Sequence, residues 1–260
     1  MNSVVLENVH KIFRQRGFFF GRSGPETHAL KGISLIVAAG EVLGLLGANG
    51  SGKSTTLKLI SAVFLPDRGC VSVSGADTRS NARMVRRQVG FALANERSFF
   101  PRLTAFENLE FFAALEDVPR RECGSRVRSL LHDVGLEDAA GKQVMKLSSG
   151  MYQRLGIARA LIKAPSVLLL DEPTRSLDVT AANQLWKLIR ELSSTGKTIV
   201  LATHNFAEVA AVCDRIAVLH MGELSAVKNV SNSPSRELQD FYFETTGEHE
   251  VAPWPEGVPA

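Results

Sequence analysis

Two rhythms of apolar positions alternate along the 260 residues. Short Val-, Leu- and Ile-rich runs bounded by turn formers come first: SVVLENV, GISLIVAAG and EVLGLLG, then GCVSVSG after one helical stretch, TTLKLI. Runs of that length and composition predict strands. From Thr104 to Ala164 the apolar spacing turns helical, in TAFENLEFFAALE, RRECGSRVRSLLHDVG and a helix after Ser149 that reads as basic and amphipathic. The strand rhythm then returns in SVLLLD, KTIVLAT and RIAVLH, separated by the helical TAANQLWKLIRELSS and FAEVAAVC. Strands alternating with helices predict parallel strands joined by crossovers. The expected fold is α/β, with a mixed β layer leading into a central sheet and a helical subdomain at about 96–164 that makes the sheet core discontinuous in sequence. No repeat period stands out, which excludes a solenoid or propeller.

Two segments break the pattern. GFFFGRSGPETHAL, with Phe18 to Phe20 in a Gly-rich surrounding, reads as a hairpin tucked on its own domain. The main domain is expected over 1–228. The tail, 229–260, holds one short helix, SRELQDFYFETT, and then the loose, Pro-rich EHEVAPWPEGVPA.

Composition narrows the picture by exclusion. No apolar run approaches the eighteen or so residues that span a bilayer, and MNSVVLENVH lacks the flank and core of a signal peptide, so the chain is expected in the cytosol. Cys70, Cys123 and Cys213 lie too far apart for metal-ligand spacing and read as small apolar fillers. A net charge of +3 from 30 basic and 27 acidic side chains is too mild for a nucleic-acid binder.

The chemistry concentrates in short motifs. GANGSGKST, Gly47 to Thr55, fits G-x-x-x-x-G-K-[ST] and lies between a strand and a helix. Gly47, Gly50 and Gly52 let backbone amides, with Asn49 and Thr55 beside them, approach phosphates; Lys53 reaches the β and γ oxygens and Ser54 serves Mg²⁺. One helix end is worth only about 0.3–2 kcal/mol to an anion, so a triphosphate needs the whole nest, the lysine and the metal. SVLLLDEPT is a strand buried on both faces that ends in two carboxylates. Asp171 suits Mg²⁺ through water, and Glu172 suits orienting or deprotonating an attacking water. KTIVLATHN ends a neighbouring strand in His204, within reach of a γ-phosphate. A second anion-ready helix start, LSSGM with Ser149 and Gly150, lies about a hundred residues after the first.

These motifs, GANGSGKST, LSSGM, LLLDEP, SLD and TH in that order, resemble those of ATP-binding cassette ATPases over nearly the whole chain. The resemblance implies a P-loop NTPase (RecA-like) core with an antiparallel β subdomain and an inserted α-helical subdomain. It implies an ATP- and Mg²⁺-dependent ATPase whose two copies, or a copy and a homologue, meet head to tail. ATP would lie between the P-loop of one and Ser149 and Gly150 of the other. Phe13 would stack on adenine, and Ser176, Leu177 and Asp178 would cross the interface, with Ser176 and Val179 replacing the more usual Gly and Pro. An integral membrane permease would hold the chain at the cytoplasmic face of the membrane.

The clearest departure lies in VGFALANERSFFPRLTAFENL, where the family often carries a glutamine on Mg²⁺. Counting back from Leu103 puts Asn95 there, one methylene shorter, with Glu96 as the alternative. The neighbouring Phe99 and Phe100 read equally as core or as a groove for a short permease helix. The variant segment and SSGM resemble the export branch that pairs with separate six-helix permeases, carrying polysaccharide, lipid or glycolipid, or hydrophobic drugs. The other reading is an ATP-gated regulatory dimer that has lost most hydrolysis through Asn95.

Overall fold

The computed structural model describes residues 2–16, 23–93, 98–230 and 233–248. The Phe18–Phe20 segment, Asn95, Glu96 and the tail after residue 248 lie outside the described residues.

Two sheets organise the chain. Strands β1 (Asn2–Arg16) and β2 (Ser23–Ala38) pair antiparallel, and β1 also pairs with β4 (Arg68–Val73), which pairs with β5 (Ala76–Asp77). β1 runs well past SVVLENV, because Ile12 and Phe13 continue the ladder opposite His28 and Thr27. The second sheet has the order β10-β9-β3-β8-β7-β6. Its members are β3 (Val42–Leu46), β6 (Val89–Leu93), β7 (Val167–Asp171), β8 (Thr198–Thr203), β9 (Arg215–His220) and β10 (Glu223–Asn229). The five strands β9, β3, β8, β7 and β6 run parallel, and β10 turns back antiparallel at the edge.

The strand alternation divides the core. Leu168 and Leu170 of β7, with Ile199 and Leu201 of β8, face one apolar cluster; Val167, Leu169 and Val200 face the other. The second cluster also takes Val4 and Leu6 from β1 and Leu57, Leu59 and Ile60 from α1 (Lys53–Ile60), which joins the two sheets. Onto the first cluster pack α3 (Ala105–Leu115), α4 (Arg120–Asp133) and α5 (Ser149–Ala160), all lying between β6 and β7 in the chain. The helices α6 (Val179–Ser194), α7 (Phe206–Val212) and α8 (Ser235–Thr246) complete that side. A further helix, α2 (Ala82–Gln88), buries only Val85, too little apolar surface to leave a periodic signal.

Capping residues set several helix starts. Thr104 and Glu107 form a reciprocal capping box at α3, and Asp178 and Asn205 accept backbone N–H groups at α6 and α7. Two expectations are corrected. α5 is no amphipathic surface helix: Gly150, Gln153, Leu155, Gly156, Ile157, Ala158 and Ala160 are buried around most of its circumference. Cys123 and Cys213 are buried fillers, but Cys70 is exposed on β4, beyond the buried Val71 and Val73.

Among the described residues no helix is long and apolar enough to cross a membrane.

Candidate functional site

The site gathers at the carboxyl ends of β3, β7 and β8, the edge where parallel sheets place ligands. β3 is wholly buried and feeds directly into GANGSGKST. Gly50 and Gly52 take left-handed backbone angles, φ +83° and +110°, that an L side chain rarely adopts, and Gly52 opens α1. A cavity of about 330 Å³ lies over this loop, walled by Asn49, Gly50, Gly52, Lys53, Ser54, Thr55, Asp171 and Glu172.

Lys53 is buried, and its Nζ donates to the carbonyls of Gly47 at 2.6 Å and Ala48 at 3.0 Å. Burial lowers its pKa, while Glu172 and Asp171 push it back up. Ser54 Oγ donates to Asp171 Oδ1 at 3.0 Å. Burial raises the Asp171 pKa against the Ser54 hydrogen bond, and the Glu172 charge raises it further, while Lys58 and Lys53 draw it down. A hydroxyl and a half-buried carboxylate side by side are hard oxygen donors of the kind Mg²⁺ prefers, and a cation here would relieve the charge that partial burial disfavours. The residues present therefore fit that metal.

Glu172 follows Asp171 with φ +50°, a left-handed conformation uncommon outside glycine, and its N–H donates to Ala202 O at 2.8 Å. The turn ends the strand and sets the carboxylate on the cavity wall. The carboxylate meets His204, which does not itself line that cavity and whose Nδ1 lies 2.8 Å from Glu172 Oε2 and 2.9 Å from Oε1. β7 and β8 are neighbouring parallel strands, and that register brings the two side chains together.

Not every expected residue reaches this cavity. Gly47 sits beneath it, where an added Cβ would lie 2.5 Å from Ser51 Oγ. Phe13 stands on the β1–β2 ladder, partly exposed and edge-on to Phe64 with ring centroids 5.4 Å apart. Ser149 and Gly150 open α5 away from the cavity wall: Ser148 accepts the Met151 N–H at 3.3 Å, Ser149 is exposed, and a Cβ on Gly150 would meet Ala181 Cβ at 3.0 Å. Ser176 keeps the left-handed turn, φ +65°, without the glycine usual in the resembling motif. Asn95 lies outside the described residues.

Three wall residues escaped the motif reading: Ala29 of β2, Leu93 at the end of β6, and the exposed Arg175. Only Arg175, three positions after Glu172, carried a sequence signal. Phe99 and Phe100 divide between the two readings left open. Phe99 is buried, edge-on to Phe112 and Tyr152, whereas Phe100 is exposed beside Phe111.

Known proteins share this arrangement. The family model described as ABC transporter matches residues 30–175. The ABC transporter ATP-binding protein NatA of Bacillus subtilis is 36% identical over 83% of this chain and 89% of its own length. The Nod factor export ATP-binding protein I of Burkholderia lata is 40% identical over 74% of this chain and 63% of its own length. The methionine import ATP-binding protein MetN of Caulobacter vibrioides is 39% identical over 96% and 75%. Among solved structures, the dimeric ATP-binding cassette MJ0796, bound to ADP and Pi in a post-hydrolysis state, superposes with a TM-score of 0.75. It is 31% identical, over 87% of this chain and 98% of that one. The chain belongs to the ABC transporter family as an ATP-binding subunit, an ATPase cassette on a P-loop NTPase fold.

Proposed function

We propose that two copies of this chain, or one copy and a homologue, hold Mg·ATP head to tail and hydrolyse it to drive export through a membrane permease. The observation that carries the catalytic part is the 2.8 Å contact of His204 with Glu172, which shares a cavity wall with Lys53, Ser54 and Asp171. The amides of the Gly50–Thr55 turn cradle the phosphates, and Lys53 exchanges its bonds to Gly47 and Ala48 for phosphate oxygens. Ser54 and Asp171 would hold Mg²⁺, which would supply positive charge to the phosphates. Glu172 accepts a hydrogen bond from the attacking water and places it in line. His204, held by Glu172, presents its other ring nitrogen to the γ-phosphate. Phe13 offers an aromatic face for adenine.

Ser149 and Gly150, at the start of a twelve-residue helix, supply the second anion-ready end from the neighbouring copy. The permease places the chain at the cytoplasmic face of the membrane, with the exposed Phe100 and Phe111 receiving a short permease helix. Export is favoured by the resemblance of the motifs and by the name of the Nod factor relative, against the import name of the methionine relative. The substrate classes are polysaccharide, lipid or glycolipid, and hydrophobic drug.

The test is Glu172→Gln. It keeps the size of the side chain and the Mg²⁺ ligands, so ATP binding should survive while turnover falls by about 10²-fold or more. Hydrolysis at the parental rate would remove Glu172 from its role.

A further inference from the structure

Behind the catalytic pair, on α7, lies a carboxylate that no motif accounts for. Glu208 is fully buried, 0% exposed, one turn beyond His204. A buried carboxylate without a cation is costly, so what surrounds it bears on why it is there. Its neighbours come from three chain segments that flank the catalytic pair. Trp186 of α6 donates its Nε1–H to Glu208 Oε1 at 3.3 Å, the hydroxyls of Thr174 and Thr203 lie beside the carboxyl group, and its buried Oε2 accepts no hydrogen bond in this conformation. Thr174 stands two residues after Glu172, and Thr203 directly precedes His204. Thr203 Oγ1 already accepts the Asn205 N–H at 3.0 Å, so its own proton is free for Glu208. Asn205 in turn caps α7, accepting the N–H groups of Ala207 at 2.9 Å and Glu208 at 3.3 Å. Burial pushes the Glu208 carboxyl up, the nearby Thr203 and Thr174 hydroxyls and the Trp186 N–H pull it back, and the Glu172 charge adds to the rise.

We propose that Glu208 is a positioning residue for hydrolysis: it ties the segment after Glu172, the segment before His204 and helix α6 into one unit that holds the Glu172–His204 pair in register. Glu208 touches neither nucleotide nor water; it acts through the two residues it braces. The inference rests on the catalytic roles given above to Glu172 and His204. It extends to the Ser176–Asp178 loop, which runs between Thr174 and α6 and so joins two of the segments that Glu208 lies against.

The test compares Glu208→Gln, Glu208→Ala and Trp186→Phe in the full chain, reading kcat, KM for ATP and Tm together, at a temperature well below every Tm. Glu208→Gln keeps the size of the side chain and an acceptor for Trp186, so its kcat should stay within about twofold of the parent. Glu208→Ala should lower kcat about tenfold or more with KM within about twofold. Trp186→Phe, which leaves Glu208 in place and keeps an aromatic ring, should lower kcat about threefold and carries the test if the alanine variant does not fold. In a Glu172→Gln background, Glu208→Ala should cost little further, because residues acting as a unit are not additive. A bracing role in stability alone would lower Tm and leave kcat unchanged, and that result overturns the proposal. So do a glutamine variant as slow as the alanine one, and a loss of full size in the Glu172→Gln background. A parental rate in Glu172→Gln by itself is a different failure: it removes the catalytic reading and not the brace.

Discussion

A methyl group added to Gly47 would run into the carbonyl oxygen of Leu219 and stand 2.5 Å from Ser51 Oγ, whereas one added to Gly50 would meet nothing. The two glycines of one motif therefore serve different ends. Gly47 is small because β9 packs behind it, and Gly50 because its φ of +83° excludes a side chain. Gly47→Ala should cost about 1–3 kcal/mol, as overpacking against backbone does, and should weaken nucleotide binding by shifting the loop. Gly50→Ala should cost about 1 kcal/mol from backbone strain alone. Thermal unfolding without nucleotide checks the order, and equal losses would remove the distinction. At this scale the clustering was legible, since Lys53, Ser54, Asp171 and Glu172 line one cavity. Glu208 was not. A glutamate on a short apolar helix reads as its solvated face, and only tertiary packing makes it the most enclosed carboxylate near the site.

Elements were legible where their burial is one-sided or complete. The runs SVLLLD and KTIVLAT became β7 and β8 because both sheet faces are covered, and SRELQDFYFETT became α8 with Leu238 and Tyr242 turned inward. The pattern failed where burial is sparse, as in α2, or where a helix is enclosed all round. α5 carries Arg154 and Arg159, which gave it a basic look, but it sits among α3, α4, α6 and β6, so polar positions such as Gln153 are buried as well. The same contrast divides the two adjacent phenylalanines before α3. Phe99→Ser empties a site packed by Phe112 and Tyr152 and should cost about 3–5 kcal/mol. Phe100→Ser removes an exposed ring from Phe111 and should cost under about 1 kcal/mol. Purified Phe100→Ser should hydrolyse ATP at the parental rate while transport with the permease falls. Transport that survives would free that ring from the docking role, and a large fall in Tm would assign it to the core.

At the scale of the whole molecule, the two anion-ready helix starts do not share a cavity: Lys53, Ser54 and Thr55 line the nucleotide wall, and Ser149 and Gly150 open α5 elsewhere. The head-to-tail pair proposed above would resolve this, because a two-fold axis would set the LSSGM end of each copy over the P-loop of the other. Mixing two dead variants tests it. Lys53→Ala lacks the γ-phosphate cation, and Ser149→Arg blocks the site of whichever copy it faces, so each homodimer should be inactive. In an equimolar mixture half of the dimers are hybrids. Each hybrid joins two damaged halves in one site and two intact halves in the other, so about a quarter of the parental sites should return. If LSSGM served the nucleotide of its own chain, every chain in the mixture would remain damaged and no activity could reappear. Cooperation between the sites can silence a hybrid that still binds, so trapped ATP must be counted beside phosphate release. Absence of both would refute the shared site, and ATP trapped without release would keep the site and tie hydrolysis to two intact halves acting together.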